Sequence, residues 1–309
     1  VETERLKILL IGGSGFVSGT LAQVALAQGH RVWVLTRGLR PLRPDVVHLV
    51  ADRHDSPVFA GAVDLAATHW DLAVDCIAYH PDDIRQDLAT LSGRVGHFVF
   101  ISTDFVFDPV HRKFPQPEEA DFYLADGYGG LKRQCEQVLL SPPAPEMNWT
   151  VIRPCHIYGP GSELGCLPAH GRDPQLIRKL QTGTPLQLVG GGYFLQQPVF
   201  ARDLAAIILN LAGKPATYSQ IYNIAGPDVV ESREYYRLIA ACLGVTLRIA
   251  EVPVDEFRQA HPEAASFLCH RIYDLYKLRR SGVTVPATPL AAGLREHVFH
   301  KLQNLAEKD

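Results

Sequence analysis

The stretch Lys7-Ile8-Leu9-Leu10-Ile11-Gly12-Gly13-Ser14-Gly15-Phe16-Val17-Ser18-Gly19 decides the fold. From Lys7 to Ile11 runs a short apolar segment, rich in isoleucine and leucine, that stops at two glycines. Such a segment reads as a buried parallel strand. Val17, Leu21, Val24 and Gln28 then recur at helical spacing, and Gly29-His30 closes that helix before a second strand, Arg31 to Leu35. Working outward, further strands are expected at Val46 to Val50, Leu72 to Ala78, His97 to Ser102 and Thr150 to Arg153. Helical patterns lie between several of them, among them Ile84-Leu88-Leu91 and Leu131-Cys135-Val138-Leu139. Strand and helix in alternation predict an α/β chain with a doubly wound parallel sheet of the Rossmann type.

The glycines between the first strand and first helix carry the first chemical signal. Gly12 permits a tight turn, and Gly15 lets the backbone approach a pyrophosphate at the positive helix N-terminus. The third position of the Gly-x-x-Gly-x-x-Gly pattern is Ser18, small enough to keep helix close to strand. The arrangement predicts a dinucleotide site that includes Gly12, Ser14, Gly15, Phe16 and Val17. The second strand ends Leu35-Thr36-Arg37-Gly38, with no carboxylate for a ribose 2′-hydroxyl. Arg37, with Arg40, therefore favours NADP, with NAD the alternative; the bland reading of Arg37 is a solvated loop residue. Asp52, at the end of the third strand, is a candidate for the adenine amino group or an ordinary loop cap. Arg53 and Ala78 are counted with these cofactor contacts.

A second signal lies in Ser102-Thr103-Asp104 and, 25 residues on, in Asp126-Gly127-Tyr128-Gly129-Gly130-Leu131-Lys132-Arg133. A helix puts Tyr128 and Lys132 on one face, so a phenol and an ammonium can share a cleft. The ammonium is expected to lower the tyrosine pKa toward neutrality and prepare it for proton exchange. Further on come Arg153-Pro154-Cys155-His156-Ile157-Tyr158-Gly159-Pro160-Gly161, then Gln197-Pro198-Val199-Phe200-Ala201-Arg202-Asp203, and Tyr222-Asn223-Ile224-Ala225-Gly226.

These pieces, in this order, resemble the extended short-chain dehydrogenase/reductase family of nucleotide-sugar epimerases, dehydratases and reductases, and the resemblance runs along nearly the whole chain. It implies that Thr103 holds the substrate oxygen, that Tyr128 is the acid/base, and that Lys132 binds the nicotinamide ribose. Pro154 would lie against the nicotinamide. Asp104 reads equally as a second acid or as a turn cap. Phe105 stands where dehydratases of this family carry a glutamate, and a phenyl ring can neither give nor take a proton. Dehydration is thereby disfavoured, and keto reduction or epimerisation is left open. The resemblance also implies a homodimer.

The rest of the chain is less legible. After Pro160 long loops are expected around one helix, Asp173 to Gln181. Then follow a helix from Ala201 to Ala212, a strand from Ile221 to Ile224, a helix from Ser232 to Gly244, and a last helix opened by Thr288-Pro289 with a Leu290, Leu294, Val298, Leu302, Leu305 stripe. The expected division is a Rossmann unit of 1–161 plus about 198–226, with a substrate lobe of about 162–197 plus 227–309. Arg172, Lys179, Arg271 and Arg279 are candidates for a substrate diphosphate. Of these Arg172 and Arg271, with His156 and Thr103, form the expected substrate set; His170, His270 and the loop Gly190-Gly191-Gly192-Tyr193-Phe194 are weaker candidates.

Composition narrows the classes. A formal charge of −3 gives no support to a nucleic-acid or anionic-membrane surface, and six scattered cysteines show neither zinc spacing nor a disulfide framework. No metal is expected, no run is long enough to span a membrane, and a reducing cytoplasm is the expected setting. The expected partner is a small molecule, a nucleotide sugar. The rival classes are a non-catalytic or RNA-associated relative on the same scaffold, of the kind found in plastids, and an NADP-sensing regulator.

Overall fold

The computed structural model describes residues 5–66, 68–141 and 146–306. The first half alternates as expected: β1 (Lys7–Ile11), α1 (Phe16–Ala27), β2 (Arg31–Thr36), β3 (Val47–Val50), α2 (Ser56–Leu65), β4 (Trp70–Asp75), α3 (Pro81–Leu91), β5 (Val95–Ile101), α4 (Gly127–Leu140) and β6 (Trp149–Pro154). The second half continues with β7 (Ile157–Tyr158), α5 (Leu176–Gln181), β8 (Leu186–Val189), β9 (Leu195–Gln196), β10 (Val199–Phe200) and α6 (Ala201–Leu211). It closes with β11 (Gln220–Ile224), β12 (Val230–Glu231), α7 (Ser232–Leu243), β13 (Ile249–Val252), α8 (Val254–Ala260), α9 (Tyr276–Arg280) and α10 (Leu290–Ala306).

Seven strands form one parallel sheet in the order β11-β6-β5-β4-β1-β2-β3. Its strands are apolar throughout because both faces are covered. Ile8 and Leu10 of β1 pack with Leu21, Ala25, Leu204 and Ile208, which places α1 and α6 on one face. Leu9 and Ile11 pack with Phe59, Val63, Ile84, Cys135 and Leu139, which places α2, α3 and α4 on the other. The order reverses between β1 and β4, and a crevice opens at the carboxyl ends of strands at such a switch point.

The structure moves several expected boundaries for physical reasons. β4 stops at Asp75, not Ala78, because the Asp75 carboxylate accepts the amides of Ile77 and Ala78, both at 2.6 Å, and turns the chain out of the sheet. α5 begins at Leu176 because Asp173 bends back to accept the Gln175 amide at 2.8 Å. Thr288 does not cap α10 with its own hydroxyl, which donates to Asp203 at 2.7 Å; the Leu290 amide is met instead by Asp228 at 2.7 Å. A third cluster joins Tyr158, Leu176, Leu188, Tyr235, Ile239, Leu290, Leu294 and Val298, so most of the expected α10 stripe is core, while Leu305 is 47% exposed. The short strands β7 to β10, β12 and β13 replace part of the expected long loops.

Candidate active site

A cleft of about 1030 Å³ opens at the switch point. Its floor begins with the glycines. Gly12 takes φ +80, a left-handed backbone that only glycine adopts without strain, and a Cβ there would strike the Ile77 side chain. Gly15 enters α1 with no side chain over the helix N-terminus, and its amide donates to the buried Ser18 hydroxyl at 3.1 Å. The serine in the third glycine position thus fits under the turn. Ser14, Phe16 and Val17 line the same end. Arg37 and Arg40 are exposed at its rim, and among the described residues neither faces an acidic partner. Asp52 also lines the cleft, with one carboxylate oxygen accepting the His54 amide at 3.0 Å. These features fit a dinucleotide: a turn with no room for a side chain, an open helix N-terminus and cations at the far rim.

Arg53 was expected at the cofactor, and it contributes to the cleft wall. Its guanidinium, however, is buried among Asp75 at 2.8 Å, Asp83 at 3.1 Å and Asp87 at 3.2 Å. Ala78 lies outside the cleft lining and offers its carbonyl to Lys132 at 2.8 Å.

The catalytic candidates meet at the opposite end. β5 delivers Ser102, Thr103 and Asp104, and α4 delivers Tyr128 and Lys132. Two glycines allow the contact: a Cβ on Gly129 would run into the Phe105 carbonyl, and one on Gly130 into the Ala125 backbone. The first turn of α4 therefore packs directly on the strand exit. Gly129→Ala should push Tyr128 out of place and cut turnover by roughly 10²-fold, the cost of an ångström-scale misplacement. An unchanged kcat in that variant would mean that this contact does not position the tyrosine.

Lys132 is 2% exposed and donates to the carbonyls of Ala78 at 2.8 Å and Ile101 at 2.7 Å. An ammonium has three donors, so one remains, and Lys132 lines the cleft. The expected lowering of the tyrosine pKa is not what the structure supports. Burial pushes the Tyr128 phenol up to about 12, with the Thr103 hydroxyl and the Arg172 charge pulling weakly the other way. Burial likewise lowers the Lys132 pKa. Tyr79, which carried no motif, stands beside both, its ring 4.9 Å from the Lys132 ammonium and 6.1 Å from the Tyr128 ring.

Asp104 has a task that neither sequence reading anticipated. Its buried carboxylate is held by Arg271 and the Tyr273 hydroxyl, with Arg112 at 3.6 Å. Arg271 lines the cleft, yet its charge is met by that carboxylate, and Lys179 is likewise paired with Asp173 at 2.7 Å. Arg279 and His270 are exposed and outside the cleft lining; the Gly190–Gly192 turn also lies outside it, with Gly191 and Gly192 buried. His170 also lies outside it, bridging Asp173 at 3.1 Å and the Gln187 carbonyl at 3.0 Å. Arg172 differs. It lines the cleft at φ +59, a strained conformation for arginine, and among the described residues it has no ion-pair partner. His156 lines the cleft with Nε2 buried and unbonded, and burial lowers its pKa to about 4, so the imidazole is neutral. Pro154 completes this end at the tip of β6.

The residues sequence reasoning missed hold these groups from behind. Glu136, one turn beyond Lys132, is fully buried and binds Arg153 through both oxygens, at 2.8 and 2.7 Å. The Ser102 hydroxyl adds a third bond at 2.6 Å.

Comparison with known proteins agrees with this architecture. The family described as NAD dependent epimerase/dehydratase matches residues 8–225. The chloroplast stem-loop binding protein of 41 kDa b from Arabidopsis thaliana is 26% identical, over 72% of this chain and 60% of that one. This chain thus spans about three fifths of that relative's length. A dTDP-4-dehydro-6-deoxy-D-allose reductase from a Streptomyces species is 25% identical over 94% of each chain. The crystal structure of UDP-glucose 4-epimerase from Thermotoga maritima superposes with a TM-score of 0.78 at 18% identity, covering 97% of this chain and all of that one. Among the described residues no helix is long and apolar enough to cross a membrane.

Proposed function

The chain belongs to the NAD dependent epimerase/dehydratase family, and from that premise we propose that it acts at a hydroxyl or keto carbon of a nucleotide-activated sugar. The observation that carries this reading is the meeting of Thr103, Tyr128 and Lys132 in one cleft with an open helix N-terminus. A bound nicotinamide supplies or takes the hydride. Tyr128 gives the matching proton to the substrate oxygen, or takes it, while the Thr103 hydroxyl orients that oxygen. The third Lys132 donor would hold a ribose hydroxyl, Pro154 would face the nicotinamide, and Asp52 would serve the adenine. Arg172 and His156 would hold the substrate, and Arg271, which lines the same cleft, is held by the Asp104 carboxylate.

We favour keto reduction over epimerisation, on the resemblance of the Ser102-Thr103-Asp104-Phe105-Val106-Phe107 segment to that of keto-sugar reductases. Dehydration is disfavoured by Phe105, whose ring packs edge-on against Tyr128 and Phe267 and offers no acid or base. The reductase among the relatives supports the same choice. Arg37 and Arg40 support NADP, with NAD as the alternative. Six free thiols suit a reducing cytoplasm. A homodimer completes the reading, with residues 162–197 and 227–309 forming the lobe over the cleft.

The test is to identify the dinucleotide that co-purifies, then to incubate the protein with keto-sugar nucleotides and NADPH. Net NADPH consumption is the expected result. Tightly held NAD with isomerised product and no consumption would make it an epimerase. The plastid relative motivates the rival reading, which predicts no turnover and RNA binding that weakens steeply with salt. Arg37→Glu should weaken NADPH binding by about 10- to 100-fold, the worth of charged hydrogen bonds, and spare NADH. Equal loss for both cofactors would remove Arg37 from the 2′-phosphate.

A further inference from the structure

We propose that Arg53 is a positioning residue: its buried cluster with Asp75, Asp83 and Asp87 fixes the 76–80 turn and, through that turn, the Lys132 ammonium. The contacts form a continuous chain, in which the link to the Asp83 carboxylate is an ion pair and the others are hydrogen bonds. Arg53 binds Asp75 at 2.8 Å, and the other Asp75 oxygen accepts the Ile77 and Ala78 amides at 2.6 Å each. Arg53 also meets Asp83 at 3.1 Å, and Asp83 in turn accepts the amides of Tyr79 and His80 at 2.8 and 3.0 Å. Four successive amides are therefore held by two carboxylates that share one guanidinium. The carbonyl of Ala78, inside that turn, takes the Lys132 ammonium at 2.8 Å, and the Tyr79 ring lies 4.9 Å from it. Asp87, on the far side, and the Asp83 carbonyl at 3.0 Å complete the hold on the guanidinium.

The arrangement is otherwise costly. Three buried carboxyls crowd one cation; burial and the neighbouring Asp75 charge push the Asp87 carboxyl well above its ordinary value, toward its neutral form, and hydrophobic residues would fill the same space without burying charge. What the charged version adds is direction: each carboxylate has oxygens to spare for amides, so the cluster sets backbone geometry as well as filling volume. Only the Cys76 amide, which donates to the Ile11 carbonyl at 3.1 Å, ties the 76–80 turn to the sheet among the described residues; the rest is irregular backbone beside the cleft. A lysine on a flexible stem, with two donors spent on carbonyls, presents its third donor in a direction that those carbonyls decide. The functional consequence rests on the proposed role of Lys132 at the nicotinamide ribose; the positional claim does not.

The experiment reads position and function separately. Lysine acylation by a small anhydride, followed by mass spectrometry, reports how often Lys132 leaves its carbonyls. Arg53→Gln should raise the labelling rate of Lys132 roughly tenfold while exposed lysines label as before. Because that variant strands three carboxylates and can fail to fold, Arg53→Gln with Asp87→Asn is made alongside it. Asp87→Asn keeps a group of the same size and hydrogen-bonding capacity at a carboxyl that burial and the Asp75 charge already push toward its neutral form, so the double variant tests the loss of the guanidinium with one carboxyl fewer beside it. Both folded variants should lose dinucleotide affinity by a similar factor to Lys132→Met, and Arg53→Gln should add little to Lys132→Met. Unchanged Lys132 labelling in a folded variant overturns the positioning role whatever happens to affinity. Faster labelling with intact affinity in Lys132→Met keeps the positioning role and removes the ribose role instead.

Discussion

Tyr128→Phe should slow turnover by about 10²- to 10⁴-fold, the range that a positioned proton donor contributes, while dinucleotide affinity stays nearly constant. The hydroxyl is the one group removed, and the ring remains to pack on Phe105 and Tyr79. Cofactor titration and steady-state rates on the same preparation check it. Retained turnover would remove Tyr128 from the chemistry. The Tyr128 surroundings also give an expected pH profile. A phenol raised by burial to about 12 is the neutral acid across the working range, so the rate of keto reduction should be flat through neutrality as far as this group is concerned. A rate that falls between about pH 6 and pH 8 as the phenol ionises would show that bound cofactor brings the tyrosine down to the value the sequence led us to expect.

In the structure the phenol is raised and not lowered, for a reason that spacing does not encode. Tyr128 and Lys132 are four residues apart on one helix, and sequence alone places them on a common face. Sequence does not say where the ammonium points. Its carbonyl partners lie 54 and 31 residues away, and they hold the charge on the turn after β4 and the end of β5. The same limit explains Asp104 and Arg53. The glycine loop is legible because turn, helix start and strand are contiguous. By contrast, the partners of Asp104, Arg271 and Tyr273, lie 167 and 169 residues downstream. An arginine looks alike in sequence whether it waits for a phosphate or is already spent on a carboxylate: of the two substrate-diphosphate candidates that line the cleft, Arg271 is paired with Asp104 and Arg172 has no ion pair among the described residues. The left-handed backbone at Arg172 is equally invisible, since nothing in Gly171-Arg172-Asp173 announces it.

Glu136→Ala should be the most destabilising single change near the site. Arg153 is fully buried, and removing its carboxylate leaves a guanidinium with no charge partner, a loss of about 3–5 kcal/mol when one half of a buried pair is deleted. For a chain of this size that lowers the melting temperature by roughly 5–8 °C. The double variant Arg153→Met with Glu136→Met should recover most of it, because a pair of similar-sized apolar groups needs no desolvation of charge. Recovery would separate two roles of the pair. If activity stays low while stability returns, the pair's purpose is to lock α4 to β6 and so hold Tyr128 and Lys132 opposite Pro154. The pH dependence gives an independent check. Burial alone would raise the Glu136 carboxyl, but the Arg153 charge and the bonds from Arg153, Ser102 and Arg133 outweigh it and hold the pKa below its ordinary value of 4.5. Its stabilising contribution is therefore complete above that ordinary value and is lost as pH falls through the lower folded-state value. Wild-type stability should drop over that acid window, and the double variant should lose this part of the drop. An equal acid-side slope in both proteins would show that other carboxylates, not this pair, set the protein's acid sensitivity.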